Sequence, residues 1–130
     1  MDNPADPTAA PRARRILHAD VPIVPSPSGL PSQHLVTRRD GARDLFVGQQ
    51  WLQPGDEVRR HVHPVEEVLT FAVGTGEATL GEETVGIGPG TSLFVPPGVP
   101  HGFRCLAGTL HVLLVFPGGV FGETTFVDRG

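Results

Sequence analysis

Residues 55–74 read Gly55-Asp-Glu-Val-Arg-Arg-His61-Val-His63-Pro-Val-Glu-Glu67-Val-Leu-Thr-Phe-Ala-Val-Gly74, and residues 90–101 read Gly90-Thr-Ser-Leu-Phe-Val-Pro96-Pro-Gly98-Val-Pro-His101. His61 and His63 are two residues apart, so on a strand both side chains leave by the same face. Glu67 keeps this parity, and His101 follows a separate strand after a Pro-Pro-Gly turn. Imidazole and carboxylate donors together suit a divalent first-row transition metal. These residues therefore predict a metal site.

Short apolar runs separated by turn residues occupy most of the chain. The 130 residues include 17 Gly and 14 Pro, which punctuate the apolar runs and do not form a low-complexity tract. No stretch has a convincing helical period. The pattern predicts an all-β fold, an antiparallel jelly-roll barrel or sandwich, with turns at 74–76 and 107–108. The expected strands are His34–Arg39, Leu45–Gln53, Glu66–Val73, Glu77–Leu80, Glu83–Ile87, Thr91–Val95, His101–Leu106, Thr109–Phe116 and Val120–Val127.

The two quoted stretches resemble the paired motifs of the cupin family. Every fixed position of the first motif is matched, by Gly55, His61, His63, Glu67 and Gly74. The second motif is matched by Gly90, Pro96, Gly98 and His101, with Cys105 where the family has Asn. The resemblance covers residues 33–127 and implies a cupin-type jelly-roll β-barrel. It also implies the metal ligands His61, His63, Glu67 and His101, and it leaves Glu66 pointing outward.

A length of 130 residues suits one domain, which we expect over residues 16–130. Residues 1–15 are rich in Pro, Ala, Asp and Arg without an apolar period, so they are expected to be a disordered tail. Val21–Pro31 alternates proline with apolar or small residues, which indicates an extended arm on an edge strand. An apolar arm and open sheet edges in a small domain predict a homodimer.

Composition excludes several classes of function and location. The formal net charge of −4 gives no electrostatic case for binding nucleic acid. The chain contains no lysine for a Schiff base and no tyrosine, and its single cysteine cannot form an internal disulfide. No apolar run is long enough to span a bilayer, and the N-terminus lacks the features of a signal peptide. Cytoplasmic location is the resulting expectation.

Strand parity selects candidates for a substrate pocket, each with a simpler structural alternative. His111 is a candidate general acid or base, or an ordinary strand histidine, and Glu67 is a second catalytic candidate. Cys105 is a candidate thiolate or a small buried hydrophobe. Arg59 or Arg60 is a candidate partner for a substrate carboxylate at the rim, or a solvated side chain. The expected pocket residues are Gln49, Trp51, Arg59, Phe71, Phe103, Cys105 and Leu113, with His111 and Val115 on the same inward face as Leu113.

The metal site and the apolar candidates predict an enzyme that acts on a small, mainly apolar or aromatic, oxygenated substrate. The cofactor is expected to be one Fe(II), Mn(II), Ni(II), Co(II) or Zn(II) ion. Dioxygenase-type oxidation is the first chemistry that the resemblance implies. Two alternatives stay open, a non-redox Lewis-acid isomerase, cyclase or decarboxylase, and a non-catalytic protein that binds a small ligand.

Overall fold

The computed structural model describes residues 11–127, and its regular structure is almost entirely β, as the sequence predicts. Two short 3-10 helices accompany the strands, and no helix in this described part is long and apolar enough to cross a membrane. The helices span His18–Asp20 and Arg38–Asp40. The strands are β1 (Val24–Pro25), β2 (Pro31–Val36), β3 (Leu45–Leu52), β4 (Glu57–Val62), β5 (Glu67–Leu80), β6 (Glu83–Ile87), β7 (Thr91–Val95), β8 (His101–Pro117) and β9 (Thr125–Phe126).

The two long strands, β5 and β8, hold the fold together because each runs through both of its halves. In one half, residues 68–73 of β5 pair with residues 111–115 of β8, and β7 and β3 flank this pair. In the other half, residues 75–80 pair with residues 101–107, and β6 and β4 flank this pair. All of these pairings are antiparallel. The sheet therefore curls on itself into a jelly-roll barrel around an apolar core.

The turns predicted at 74–76 and 107–108 are wrong, because both strands continue through these residues. Gly74 and Gly108 adopt φ angles of +79° and +68°. This backbone conformation bends the strand and would be strained for a residue with a side chain. The two bends lie at the same level, since a Cβ on Gly108 would lie 3.6 Å from the Cα of Gly74. Register shifts between β5 and β8 occur at the same place. Glycine here bends the strand without ending its pairing.

The bend in β8 reverses the parity of the strand. Before it, the inward residues are odd-numbered, and His101, Phe103 and Cys105 are buried. After it, the even-numbered residues are buried and the odd-numbered ones are partly exposed. The prediction that His111, Leu113 and Val115 face inward is therefore wrong. The inward residues are Leu110, Val112, Leu114 and Phe116.

Two predicted strands have different limits. The strand expected at His34–Arg39 ends at Val36, because Thr37 caps a 3-10 helix: its hydroxyl accepts a hydrogen bond from the Arg39 amide. The strand expected at Val120–Val127 is reduced to Thr125–Phe126. Residues just before it pack against the barrel instead, and a Cβ on Gly122 would lie 2.6 Å from the Phe116 ring.

The predicted arm lies on an edge strand of its own chain. Val24 and Pro25 pair with Ser32 and Pro31, and the Ser32 hydroxyl donates to the Val24 carbonyl at 2.8 Å. The predicted disordered tail, residues 1–15, lies outside the described residues except for 11–15, which have no regular secondary structure. Within 11–15, Arg14 Nη1 lies 4.0 Å from Asp40 Oδ1, so this segment contacts the barrel.

Candidate metal centre

Four side chains, from three strands and the segment that follows the first of them, meet at one point. Their ligand atoms all lie within 4.8 Å of one another, and all four residues are buried. His61 comes from β4, His63 from the segment after it, Glu67 from the start of β5 and His101 from the start of β8. Glu66, in contrast, is exposed. His61 and His63 share a face because side chains alternate along an extended chain. The chain bends at residues 64–65 before β5 begins, and this bend brings Glu67 to the same centre.

Close contacts join the four side chains. His61 Nε2 lies 3.1 Å from His63 Nε2. Glu67 Oε1 lies 2.9 Å from His101 Nε2 and 3.4 Å from His63 Nε2. The Nε2 atom of each imidazole is thus turned toward the shared centre, and the carboxylate closes the set.

The other ring nitrogen of each histidine faces a backbone carbonyl. A carbonyl oxygen only accepts hydrogen bonds, so each Nδ1 carries a proton, and Nε2 is the ring nitrogen left to bind a metal ion at the centre. Such outer contacts are typical of metal-binding histidines, whose tautomer and orientation they set. The contacts are His61 with the Arg59 carbonyl at 2.7 Å, His63 with the Glu123 carbonyl at 2.9 Å, and His101 with the Val99 carbonyl at 2.9 Å.

This arrangement fits a divalent cation. Lone pairs of two neutral imidazoles that face each other at the 3.1 Å between His61 and His63 repel unless a proton or a metal ion lies between them. Burial of three imidazoles and a carboxylate without a shared cation is costly. The donor set suits Fe(II), Mn(II), Ni(II), Co(II) and Zn(II).

The pKa values of three of these residues reflect their crowding. Burial, followed by the charge of His101, lowers the pKa of His61 to about 4, so its ring is neutral at pH 7. Burial opposes ionisation of Glu67, but hydrogen bonds from His101 and His63 outweigh it and lower the pKa of Glu67. Burial also lowers the pKa of His63, but the Glu67 and Glu123 contacts outweigh it and raise that pKa overall. A neutral His61 and an anionic Glu67 are the forms that bind a metal.

A small, mainly apolar cavity adjoins His61, His63 and Glu67. Its volume is about 20 Å³, which is on the scale of a single water molecule. Residues 26–28 of the N-terminal arm form part of its wall. The apolar side chains around it are Val58, Leu69, Phe103, Leu114, Phe121 and Phe126, and the polar ones are Ser26, Ser28, Gln50 and Thr124.

Of the predicted pocket residues, Phe103 lines this cavity. Phe71 lies behind it in the core, with the two ring centroids 5.7 Å apart. Cys105 is also in the core, where its thiol donates to the Gly108 carbonyl at 3.1 Å. Arg59 is exposed and stacks over Phe126 at 4.4 Å, which puts its charge at the rim.

The remaining predicted pocket residues lie on the other side of the sheet. Gln49 is buried there, where its Nε2 donates to Gln33 Oε1 at 2.8 Å and its Oε1 lies 2.7 Å from His111 Nε2. Trp51 packs against His111 with the ring centroids 5.9 Å apart. Leu113 is placed outside the cavity by the parity change in β8. His111 therefore lies away from the cavity in which it was expected to act as an acid or base.

On β3 and β8, the residues that line the cavity lie one position after the residues that the sequence predicted. Gln50 lines the cavity in place of Gln49, and Leu114 in place of Leu113. Phe46 and Leu52 are buried and lie on the inward face of β3. The sequence does not identify this face, because neither face of the strand is clearly polar. Ser26, Phe121 and Phe126 come from irregular or very short segments, where no periodic signal exists.

Comparisons with known proteins agree with this fold and site. The family model described as a cupin domain matches residues 49–116, which include the four converging side chains. The uncharacterized protein SCO3923 of Streptomyces coelicolor is 34% identical over 74 residues, covering 57% of this chain and 70% of that protein. Protein SchB of Streptomyces halstedii is 30% identical over 106 residues, covering 81% and 76%. The solved structure of the polyketide cyclase RemF from Streptomyces resistomycificus is 25% identical, with a TM-score of 0.74 and coverage of 91% and 89%.

Proposed function

Because the chain belongs to the cupin family, we propose that it is a metal-dependent enzyme for a small, mainly apolar or aromatic substrate that carries oxygen atoms. One observation carries the proposal: three buried histidines and Glu67 converge beside a cavity with phenyl rings in its wall. His61, His63, His101 and Glu67 would hold the ion. When bound, a divalent ion supplies Lewis acidity that polarises a carbonyl or stabilises an enolate.

The reaction that we propose is a non-redox cyclisation. It is supported by the similarity to a polyketide cyclase over nearly the whole of both chains. In such a step a C–H proton is removed to give an enolate, whose carbon attacks a second carbonyl carbon of the same molecule. A C–C bond forms as the C=O π bond breaks, the resulting alkoxide takes up the proton, and elimination of this hydroxyl group as water completes the reaction. No oxidant is consumed. The apolar wall around Phe103 excludes water, which strengthens electrostatic interactions with the reacting oxygen atoms.

Oxygen insertion is the second candidate, and the donor set favours it. Three histidines and one carboxylate also suit Fe(II), the metal of many oxygen-dependent enzymes. The same dry cavity would protect reactive intermediates from side reactions with water. The two candidates differ in one requirement, since only the second consumes dioxygen.

We propose that the N-terminal arm moves to admit the substrate, because residues 26–28 form part of the wall of a small cavity. About 20 Å³ does not hold an aromatic molecule while Ser26, Pro27 and Ser28 lie across it. Only two residue pairs join β1 to β2. Local opening of this edge segment breaks these pairs and the hydrogen bonds from Gln33 Nε2 to the His18 and Val21 carbonyls, and it costs less free energy than global unfolding.

Turnover under controlled metal and oxygen tests the proposal. Protein stripped with a chelator and reloaded separately with Zn(II), Mn(II), Ni(II), Co(II) or Fe(II) is incubated with aromatic poly-β-ketones whose enolisable carbon and second carbonyl carbon can close a six-membered ring. The incubations are run with and without air, and products are identified by mass spectrometry. Cyclisation gives loss of water in both atmospheres, whereas a dioxygenase gives products that gain oxygen, in air only. Metal-dependent binding without any product would overturn an enzymatic role and support a non-catalytic ligand-binding protein.

We also propose that the enzyme is a cytoplasmic homodimer. Phe94 is 60% exposed, and its partner across the β5–β7 pairing, Val68, is 37% exposed. Adjacent exposed apolar side chains on a sheet face are suited to burial against a second copy. Light scattering at micromolar concentration checks the assembly, and a monomer mass would end this part of the proposal. Cell fractionation checks the location.

A further inference from the structure

Gln50 is a buried polar residue whose side-chain oxygen is left without a partner. The residue is 4% exposed and lines the cavity beside the metal centre. Among residues 11–127, no group donates a hydrogen bond to its Oε1 atom. Buried polar atoms are nearly always paired, and leaving one unpaired destabilises the fold. Such an exception needs an explanation.

Its neighbour Gln49 shows what a structural glutamine looks like in the same strand. Gln49 is 6% exposed, but its oxygen lies 2.7 Å from His111 Nε2 and its nitrogen donates to Gln33. The two residues have the same chemistry and similar burial, and they face opposite sides of β3. Only the one on the cavity side lacks a partner for its oxygen.

The position of Gln50 points to a ligand as the missing partner. Its carboxamide shares the cavity with His61, His63 and Glu67, while most of the surrounding wall is apolar. A carboxamide oxygen accepts a hydrogen bond from an O–H group. A molecule that places one oxygen atom at the metal centre and carries a hydroxyl group elsewhere could also donate a hydrogen bond to Gln50 Oε1.

We propose that Gln50 is a specificity-determining residue that accepts a hydrogen bond from a hydroxyl group of the substrate. This inference rests on the proposed function and narrows the substrate class to hydroxylated carbonyl compounds, such as phenolic ketones. The enzyme discriminates against analogues without the hydroxyl, because these leave the buried oxygen unpaired. Sites that hydrogen-bond a substrate hydroxyl reject the analogue lacking it in this way.

Binding measurements that do not depend on turnover test this role. Acetophenone and its ortho-, meta- and para-hydroxylated forms are titrated by calorimetry into the Zn(II)-loaded full chain, as wild type, Gln50→Met and Gln49→Met. We expect at least one hydroxylated form to bind wild type about tenfold more tightly than acetophenone, which corresponds to one well-formed hydrogen bond. Gln50→Met should abolish this preference, and Gln49→Met should keep it.

Thermal melts of the ligand-free variants separate ligand binding from a structural role. Gln50→Met removes an unpaired buried oxygen and should leave Tm unchanged or raised, whereas Gln49→Met breaks a paired network and should lower it. The inference is overturned if Gln50→Met lowers Tm as much as Gln49→Met does, if it keeps the hydroxyl preference, or if wild type has none. Turnover with no such preference would overturn this inference alone, and a Gln50-dependent preference without turnover would overturn only the enzymatic proposal.

Discussion

His61 and His101 are direct Cα partners across the antiparallel pairing of β4 and β8, and their imidazole ring centroids lie 4.2 Å apart. They are remote in sequence, so the pairing of the two strands creates this part of the metal centre. The pairing is irregular between Val58 and His61. Gly102, next to His101, lies at this irregularity, where a Cβ would come within 2.7 Å of the Val58 carbonyl oxygen.

Gly102→Ala should therefore lose metal although Gly102 is not a ligand. The added methyl group forces β4 and β8 apart, at a cost of about 1–3 kcal/mol, and separates His61 from His101. Elemental analysis of the folded variant measures the loss. Gly86→Ala is the matched control, because a Cβ there meets no atom within 4 Å. Wild-type metal content in Gly102→Ala would contradict the argument.

Removing a proposed ligand should remove most of the bound metal. His61→Ala and His101→Ala each delete one of four donors, and we expect metal affinity to fall by more than the roughly 10–100-fold that loss of an outer contact causes. Elemental analysis with circular dichroism tests the effect on folded protein. His111→Ala is the control, since His111 lies on the other side of the sheet, bonded to Gln49. Unchanged occupancy in either ligand variant would show that the assignment is wrong.

The metal-free protein should respond to acid through His61. Its pKa is lowered from 6.5 to about 4, so between these values the unfolded chain binds a proton that the folded chain excludes. Stability from this group is present above pH 6.5 and is lost as pH falls toward 4. His63, whose pKa is raised, acts in the opposite direction. NMR titration of the imidazole resonances measures both, and a His61 midpoint near 6.5 would refute this prediction.

Phe103→Ala should alter which ligands bind more than it alters metal content, because Phe103 lines the cavity. Truncating a buried phenylalanine costs roughly 3–5 kcal/mol, so thermal melts must accompany the binding assays. Phe71→Ala is a matched control: Phe71 is also buried, packs against Phe103 and lies behind the cavity wall. If the folded, metal-loaded Phe103→Ala variant binds every ligand as the wild type does, then Phe103 does not contact the ligands.

Loosening the N-terminal arm should speed ligand entry. Ser32→Ala removes the hydrogen bond from the Ser32 hydroxyl to the Val24 carbonyl, which contributes about 1 kcal/mol. The open population, and with it the association rate constant, should rise by about fivefold. Stopped-flow mixing measures the rate. Ser92→Ala, which removes a hydroxyl bonded to Thr70 on the exposed face of β7, should leave it unchanged. An equal rate for Ser32→Ala would mean that the arm does not limit entry.

The two motifs at residues 55–74 and 90–101 were sufficient to choose the four converging side chains, and the short apolar runs separated by turn residues predicted the fold class. Alternation along an extended chain depends on local backbone geometry, so the shared face of His61 and His63 follows from their spacing in the sequence. Glu67 was selected by the motif, because the bend at residues 64–65 interrupts the alternation. His101 needed the second motif, since its approach to His61 is made by strand pairing. The opposite parity of Glu66 predicted its exposure in the same local way.

The residues of the cavity wall could not be predicted in this way, because the parity of side chains holds only while a strand stays regular. Gly108 bends β8 where it crosses Gly74, and this bend exchanges the two faces, so Leu114 replaces Leu113 beside the metal centre. On β3, the choice between Gln49 and Gln50 depended on which face packs against the core. That choice is made by long-range burial, and Phe121 and Ser26 likewise reach the cavity only because distant parts of the chain close over it.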